Sequence, residues 1–336
     1  MKAYILDAYA KGATLRLTDW PDPRPGPRDV LVRIHAAGLN QLDSKIRDGA
    51  FKPLLPYKPP LILGHDLAGT VEAVGAEVTR FAPGDRVWAR PRDGRIGTLA
   101  ERIAVDQDDL ALAPATIGMA EAASLPLVAL TAWQALVEQG QVKAGDKVLI
   151  HAGSGGFGSV AIQLARHLGA RVATTASARN AAMLHDLGAE TVIDYRSERF
   201  EERLSGYDLV ICGQEDDTLV RSLKVLRPGG RLISISGPPT PDFAQRQGLN
   251  WPMRQVTRVL SASIRRKARA SGVHYEFLFM RADGGQLARI AALVDQGAIR
   301  PVIDRILPFA EVNAAFAHLD TGHARGKVVV ALHPDA

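Results

Sequence analysis

Three glycines near the middle of the chain have the spacing to do chemistry. Gly153, Gly155 and Gly158 form G-x-G-x-x-G directly after the apolar run Val148–Ile150 and ahead of a helical pattern, Ser159–Leu168. Ser154, Gly156 and Phe157 complete the loop between them. The first glycine permits a tight turn, the second lets a pyrophosphate reach the backbone, and the third lets helix pack on strand. A helix starting there aims its free N–H groups and positive dipole end at phosphates. Alone, such a motif is equally a ligand-free turn. The strand before it, the helix after it and the β-α units beyond select a dinucleotide site.

The second strand of such a fold ends in Asp or Glu when it grips the ribose hydroxyls of NAD. Here the strand Arg171–Ala176 runs into Ser177-Ala-Arg179, with no carboxylate. Ser177 can hydrogen-bond a 2′-phosphate and Arg179 can pair with it through a charged fork. Tyr195, just past the third strand, can add a phenolic hydrogen bond; the plainer alternative makes Arg179 and Tyr195 solvated surface residues. A missing carboxylate also removes a repulsion, so the expected cofactor is NADPH.

Two kinds of element must position these groups. Residues 1–118 are β-rich, with strands expected at Met1–Asp7, Asp29–Ala36, Leu67–Val74 and Asp85–Ala89, broken by Gly75 and by Pro83-Gly84. Pro21 to Pro27 is a turn-rich connection. From about Gly118 the pattern turns helical, Met119–Gln139 reading as two helices joined near Pro126. Strands then alternate with helices: Val148–His151, Arg171–Ala176, Thr191–Asp194, Asp208–Cys212, Arg231–Ser236 and His274–Met280. That alternation predicts an α/β fold with a doubly wound parallel sheet. A helix over 284–297 and a strand over Gly326–Leu332 follow. Residues 119–282 are thus the expected dinucleotide domain, and 1–118 with 283–336 the expected discontinuous substrate domain.

Composition excludes several classes. With 46% hydrophobic and 23% charged residues, the 336-residue chain is globular and long enough for two cores. A net charge of +5 suits a phosphorylated cofactor without marking a nucleic-acid binder. The one basic run, Arg265-Arg-Lys-Ala-Arg269, lacks interleaved aromatics and is better explained as a solvated helix face than as a nucleic-acid contact. The single cysteine, Cys212, forbids an internal disulfide and a multi-cysteine zinc site. No leader pattern and no apolar run of roughly 18 residues is present, so a cytoplasmic protein without nucleic-acid or membrane partners is expected.

Several segments are similar to the medium-chain dehydrogenase/reductase superfamily, and within it to the zinc-free quinone and enone oxidoreductases. They are Ala36-Ala-Gly-Leu-Asn-Gln-Leu-Asp-Ser-Lys45, Leu63-Gly-His-Asp-Leu-Ala-Gly-Thr-Val71, Pro83-Gly-Asp-Arg-Val87, the glycine motif, and Gly322-His-Ala-Arg-Gly-Lys-Val328. The resemblance runs from end to end. It implies a GroES-like catalytic domain built from both chain ends around a central Rossmann domain, and usually a homodimer paired through the sixth strands. It implies that Asn40 and Lys45 serve the nicotinamide end, Lys45 steadying the ribose or carrying a proton and Asn40 orienting cofactor or acceptor, with Asp43 holding the loop. It further implies cofactor contacts from Thr131, Ser236, Phe279 and, with His323, Lys327. Cys212 stands where many relatives carry an acid.

Zinc-dependent relatives have a cysteine where this chain has Asn40 and a glutamate after Gly-His. His65 and Asp66 fill that second motif, but three ligands, usually including thiolate, are needed. No metal is therefore expected, and His65 reads as a packing or hydrogen-bonding residue. Without a Lewis acid, oxidising an unactivated alcohol is hard, whereas an electrophilic quinone or enone can accept hydride. The expected activity is NADPH-dependent reduction of such an acceptor, with loops Phe51–Tyr57 and 238–255 (Phe51, Tyr57, Phe243, Trp251) shaping its pocket. The alternatives are a zinc-dependent alcohol or aldehyde oxidoreductase using His65, and a low-turnover NADPH-binding sensor.

Overall fold

The computed structural model describes residues 1–52, 54–214 and 217–332. The chain divides into two compact units, Met1–Leu130 with Arg281–Ala336, and Thr131–Met280.

The first unit is β-rich. Its strands are β1 (Lys2–Leu6), β2 (Arg16–Asp19), β3 (Asp29–Leu39), β4 (Leu61–Ile62), β5 (Asp66–Val74), β6 (Arg86–Ala89), β7 (Arg102–Asp106), β8 (Leu110–Leu112), and later β15 (Ile303–Pro308) and β16 (Lys327–Ala331). Alternation in β3 puts Val30, Val32 and Ile34 into a core with Leu67, Val71, Val87 and Ile103. The larger sheet runs β15-β16-β3-β5-β6-β8, with β7 also on β3; β2-β1-β4 form a smaller one. Register positions the chemistry. Val328 of β16 lies opposite Leu39 of β3, so Lys327 comes level with Asn40. Gly38 lies opposite Asp66 of β5.

Helix α1 (Gln41–Arg47) starts directly after Asn40. The stretch expected to hold two helices divides as the proline requires. Helix α2 (Met119–Ala123) ends before Pro126, which opens α3 (Pro126–Trp133), followed by a wider turn, Gln134–Gln139. A Cβ on Gly38 would lie 2.3 Å from the Ala123 carbonyl oxygen, so the bare strand is what lets α2 pack on it. That packing draws Met119–Ala123 into the first unit, whose first segment extends to Leu130. Helices α11 (Gly284–Asp295) and α12 (Val312–Asp320) also belong to it.

The second unit holds β9 (Lys147–Ile150), β10 (Arg171–Ala176), β11 (Thr191–Asp194), β12 (Tyr207–Cys212), β13 (Leu226–Ser234) and β14 (His274–Phe277). They form one parallel sheet in the order β11-β10-β9-β12-β13-β14. The chain runs outward from β9, then returns to lay β12 on its other side. In such sheets that reversal opens a crevice for ligand beyond the carboxyl ends of the strands. The helices are α4 (Gly156–His167), α5 (Ala181–Leu187), α6 (Phe200–Arg203), α7 (Thr218–Arg221), α8 (Pro241–Arg246), α9 (Trp251–Leu260) and α10 (Ala262–Ala270).

Three expectations need correction. The fifth strand stops at Ser234, where the Ser234 hydroxyl accepts the Gly237 N–H (2.7 Å) as the chain turns, and the sixth stops at Phe277, opposite Ser234, where its partner strand ends. Ser236 and Phe279 therefore lie just past strand ends. The stretch 238–255 is mostly helix, since Thr240 and Asn250 cap α8 and α9 and a proline opens each. Helix α4 begins at Gly156, three residues before the apolar pattern shows it, because glycines carry no hydrophobic signal.

Candidate active site

In the second unit, β9 delivers the chain to the carboxyl edge of the sheet, where the three glycines have different neighbours. A Cβ on Gly153 would sit 2.1 Å from the Thr174 hydroxyl oxygen, and one on Gly158 would sit 2.5 Å from the Ala152 carbonyl oxygen. Protein packing alone demands glycine at both. A Cβ on Gly155 would meet only that same carbonyl, at 3.4 Å, an ordinary contact. The fold therefore does not itself require Gly155 to be bare. Gly155 is also the N-cap of α4, so the helix N–H groups of Gly156 onward open at this point. The cradle fits a pyrophosphate.

The ends of β10 and β11 add side chains. Ser177 leads into a short turn, Ala178–Asn180, and its hydroxyl accepts from Asn180 Nδ2 at 3.2 Å. Arg179 is exposed on that turn. Strand β10 pairs with β11, and the Tyr195 N–H donates to the Ala176 carbonyl at 3.3 Å. Ser177, Arg179 and Tyr195 are thus gathered at one corner of the sheet. Arg196 joins them, its guanidinium 5.8 Å from the Tyr195 ring centroid; nothing in the local sequence distinguished it from other surface arginines. At the far side, the Ser236 hydroxyl is buried without a partner among the described residues. Phe279 tilts against Phe243 with ring centroids 5.8 Å apart. Thr131 is buried on α3.

The first unit contributes a closed polar cluster. The Asn40 backbone N–H donates to Asp43 Oδ2 at 2.8 Å, the reach-back of a helix start. Asp43 Oδ1 lies 2.6 Å from His65 Nδ1. A carboxylate there keeps the Nδ1 proton, leaving Nε2 as the ring's outward nitrogen, and Nε2 is buried without a partner among the described residues. Asp66 is the hub. Its Oδ1 accepts the Leu127 N–H at 2.7 Å, and its Oδ2 accepts from Asn40 Nδ2 at 2.8 Å and Lys327 Nζ at 3.0 Å. The same ammonium donates to Asn40 Oδ1 at 2.6 Å. Lys327 is only 4% exposed and is a buried counter-ion of Asp66; His323, four residues earlier, is exposed. Lys45, on α1, is half-buried.

The proposed acceptor pocket is less coherent. Phe243 is a buried α8 residue packed edge-on against Phe277, and Trp251 is 72% exposed at the start of α9. Phe51 and Tyr57 belong to the first unit, and Pro53 lies outside the described residues. Burial pushes the Tyr57 phenol up to about 12, so it is a neutral hydrogen-bonding group, accepting the Gly94 N–H at 3.1 Å.

The side chains that a zinc would draw on already have partners. Among the described residues no three His, Cys, Asp or Glu side chains gather as a metal set. Asp43 is bound to His65, Asp66 is committed to three donors, and Cys212 is buried at the end of β12 in the other unit.

A doubly wound sheet with a backbone anion cradle, joined in one chain to a β-rich unit with a buried charged cluster, defines a nucleotide-dependent oxidoreductase architecture. Residues 26–137 match the alcohol dehydrogenase GroES-like domain, and residues 187–330 match the family described as zinc-binding dehydrogenase. The chain is 35% identical to the Danio rerio protein named NAD(P)H oxidoreductase RTN4IP1, mitochondrial, over 100% of this chain and 92% of that one. It is 33% identical to the NADPH-dependent alkenal/one oxidoreductase, chloroplastic, of Arabidopsis thaliana, over 98% of this chain and 79% of that one. The quinone oxidoreductase structure from Coxiella burnetii superposes with a TM-score of 0.87 at 33% identity, covering 99% of each chain. The chain belongs to the medium-chain dehydrogenase/reductase superfamily, and it is an oxidoreductase.

Proposed function

We propose that this oxidoreductase delivers hydride from NADPH to a quinone or an α,β-unsaturated carbonyl without the help of zinc. The cofactor is NADPH. Gly153 to Gly158 would hold its pyrophosphate, and Ser177, Arg179 and Tyr195 its 2′-phosphate. Thr131, Ser236 and Phe279 are assigned to the nicotinamide side. When bound, the nicotinamide supplies the hydride. Asn40 orients cofactor or acceptor, and Lys45 steadies the ribose or moves a proton. Lys327 sets the Asn40 amide by holding its oxygen, so the amide nitrogen points to Asp66. A catalytic domain formed from both chain ends is part of the same reading.

The observation that carries the zinc-free reading is the commitment of Asp66 to an ammonium, an amide and a backbone N–H, which engages both carboxylate oxygens and puts a cation where a dication would stand. An electrophilic acceptor needs no such Lewis acid. The names of the Arabidopsis thaliana and Coxiella burnetii relatives support the two acceptor classes. A homodimer is supported by β14, which ends the six-stranded sheet. No helix among the described residues is long and apolar enough to cross a membrane. A cytoplasmic location is part of the proposal, and the Danio rerio relative, named as mitochondrial, sets the contrasting case.

The test follows NADPH and NADH oxidation by chelator-treated protein with a benzoquinone, a naphthoquinone, a short enone and an aldehyde. NADPH-selective turnover of a quinone or enone is expected. The unpartnered His65 Nε2 favours one second reading, a zinc-dependent aldehyde or alcohol enzyme. Activity only on the aldehyde, restored by added zinc, would establish that reading instead. Tight NADPH binding without any oxidation would mark a sensor.

A further inference from the structure

Helix α9 is built inside out. Its buried residue is Thr257, 1% exposed, and the next inward side chain is Ser261, which caps it. Their hydroxyls are satisfied locally, Thr257 Oγ1 donating to the Arg254 carbonyl at 2.9 Å and Ser261 Oγ to the Thr257 carbonyl at 2.7 Å. The apolar side chains face outward instead: Trp251, Val256 at 46%, Val259 at 74% and Leu260 at 56% exposure. At 100° per residue these four span one arc of about half the helix surface, interrupted by Gln255, with Arg254 and Arg258 on its flank. A helix that buries hydroxyls and exposes a largely apolar arc presents an interaction surface.

Charge identifies the partner. Between Phe243 and Tyr275 there is no acidic residue, while Arg246, Arg254, Arg258, Arg265, Arg266, Lys267 and Arg269 all fall in that interval; Asp242 and Glu276 border it, sharing a pocket with Arg246, Arg265 and Arg269, so the excess that is left is Arg254, Arg258, Arg266 and Lys267. Helix α10 follows α9 directly and packs against it, and its Arg266, Lys267 and Arg269 are exposed to solvent. A second copy would bring the same cationic surface to a self-complementary contact, and the chain as a whole is already +5. An anionic lipid surface matches every part. The arc enters the headgroup–acyl boundary, the arginines meet phosphates, and a tryptophan sits at the interface it favours. We propose that α9 and α10 form a peripheral docking face for an anionic bilayer. The lack of a long apolar run speaks to spanning a membrane, not to lying on one.

The test is flotation of the full-length protein with vesicles of phosphatidylcholine alone and of an equimolar phosphatidylcholine–phosphatidylglycerol mixture. Binding to the anionic vesicles is expected, with little to the neutral ones and a steady loss as salt rises. Val259→Ser with Leu260→Ser removes apolar insertion, and Arg266→Glu with Lys267→Glu reverses two charges. Each pair is expected to weaken binding at least about tenfold. Thermal melting of both variants separates lost docking from lost folding, and since all four side chains are exposed the melts are expected to stay near that of the parent. Equal binding to both vesicle types, or none to either, overturns the proposal. So does a wild type that ignores vesicles but sediments as an oligomer which Val259→Ser with Leu260→Ser takes apart; that outcome assigns the face to a second copy.

Discussion

The glycine cradle of the second unit and the polar cluster of the first are built from opposite materials. The cradle is backbone: an open loop, a helix start, and glycines whose missing side chains make the room. The cluster is side chain on side chain, with Asn40, Asp43, His65, Asp66 and Lys327 all buried and drawn from α1, β5, β16 and the residues directly ahead of α1 and β5. An open backbone surface can wait for a ligand at little cost, because its N–H groups stay hydrated until the ligand arrives. A buried charged cluster has no such freedom. Each member must be satisfied by another, so the loss of one strands the rest.

That difference sets the order of expected effects. Asp66→Ala leaves the Lys327 ammonium buried without its carboxylate and the Leu127 N–H without its acceptor. A fall of about 3–5 kcal/mol in unfolding free energy is expected, readable by urea denaturation. A loss below about 1 kcal/mol would show the cluster to be hydrated and the contrast false.

Within the cradle, Gly158→Ala forces a Cβ to 2.5 Å from the Ala152 carbonyl oxygen and should cost about 1–3 kcal/mol in stability. Gly155→Ala should leave stability within about 0.5 kcal/mol, since its Cβ meets one atom at 3.4 Å, yet weaken NADPH binding about tenfold or more. Calorimetric titration alongside melting separates the two. Equal behaviour of both variants would mean that Gly155 is not the ligand-facing position.

At the corner of β10 and β11 the expected change is in selectivity. Arg179→Glu should lower the preference for NADPH over NADH by about tenfold to a hundredfold, the worth of one charge-assisted hydrogen bond. Stability should hardly move, because Arg179 is exposed. An unchanged preference would transfer the 2′-phosphate to Ser177, Tyr195 and Arg196.

The smallest effect is a pH dependence away from both sites. The Arg221 hydrogen bond holds the Glu201 carboxyl down to about 2, from an ordinary value near 4.5. A lowered carboxylate stabilises the fold above its ordinary range and loses that contribution as pH falls from about 4.5 through about 2. Urea midpoints of the parent and of Arg221→Ala should therefore differ near neutrality and converge across that window. A constant difference down to the lower limit would assign the Arg221 effect to packing on Phe200 instead.

Much of the parallel-sheet unit was legible in the sequence. G-x-G-x-x-G requires only that a strand precede and a helix follow, and Ser177 and Arg179 stand at the end of the strand that the same pattern locates. Pro126 divided α2 from α3 for a local reason, its missing N–H. The extent of α8 and α9 was also locally written, in Thr240-Pro241 and Asn250-Trp-Pro252, yet polar residues between them resemble a loop. Asp66 as a hub was not legible, because its partners lie 26 and 261 positions away. Local patterning determined that this chain has a parallel sheet, a β-rich companion and a backbone cradle, since those follow from side-chain periodicity and from residues that lack a Cβ. Only the tertiary structure decided that Lys327 neutralises Asp66, that His65 leans on Asp43, and that α9 turns its apolar arc outward. Strand register and helix rotation settle such contacts, and both are fixed by packing across the whole unit rather than by neighbours in the chain.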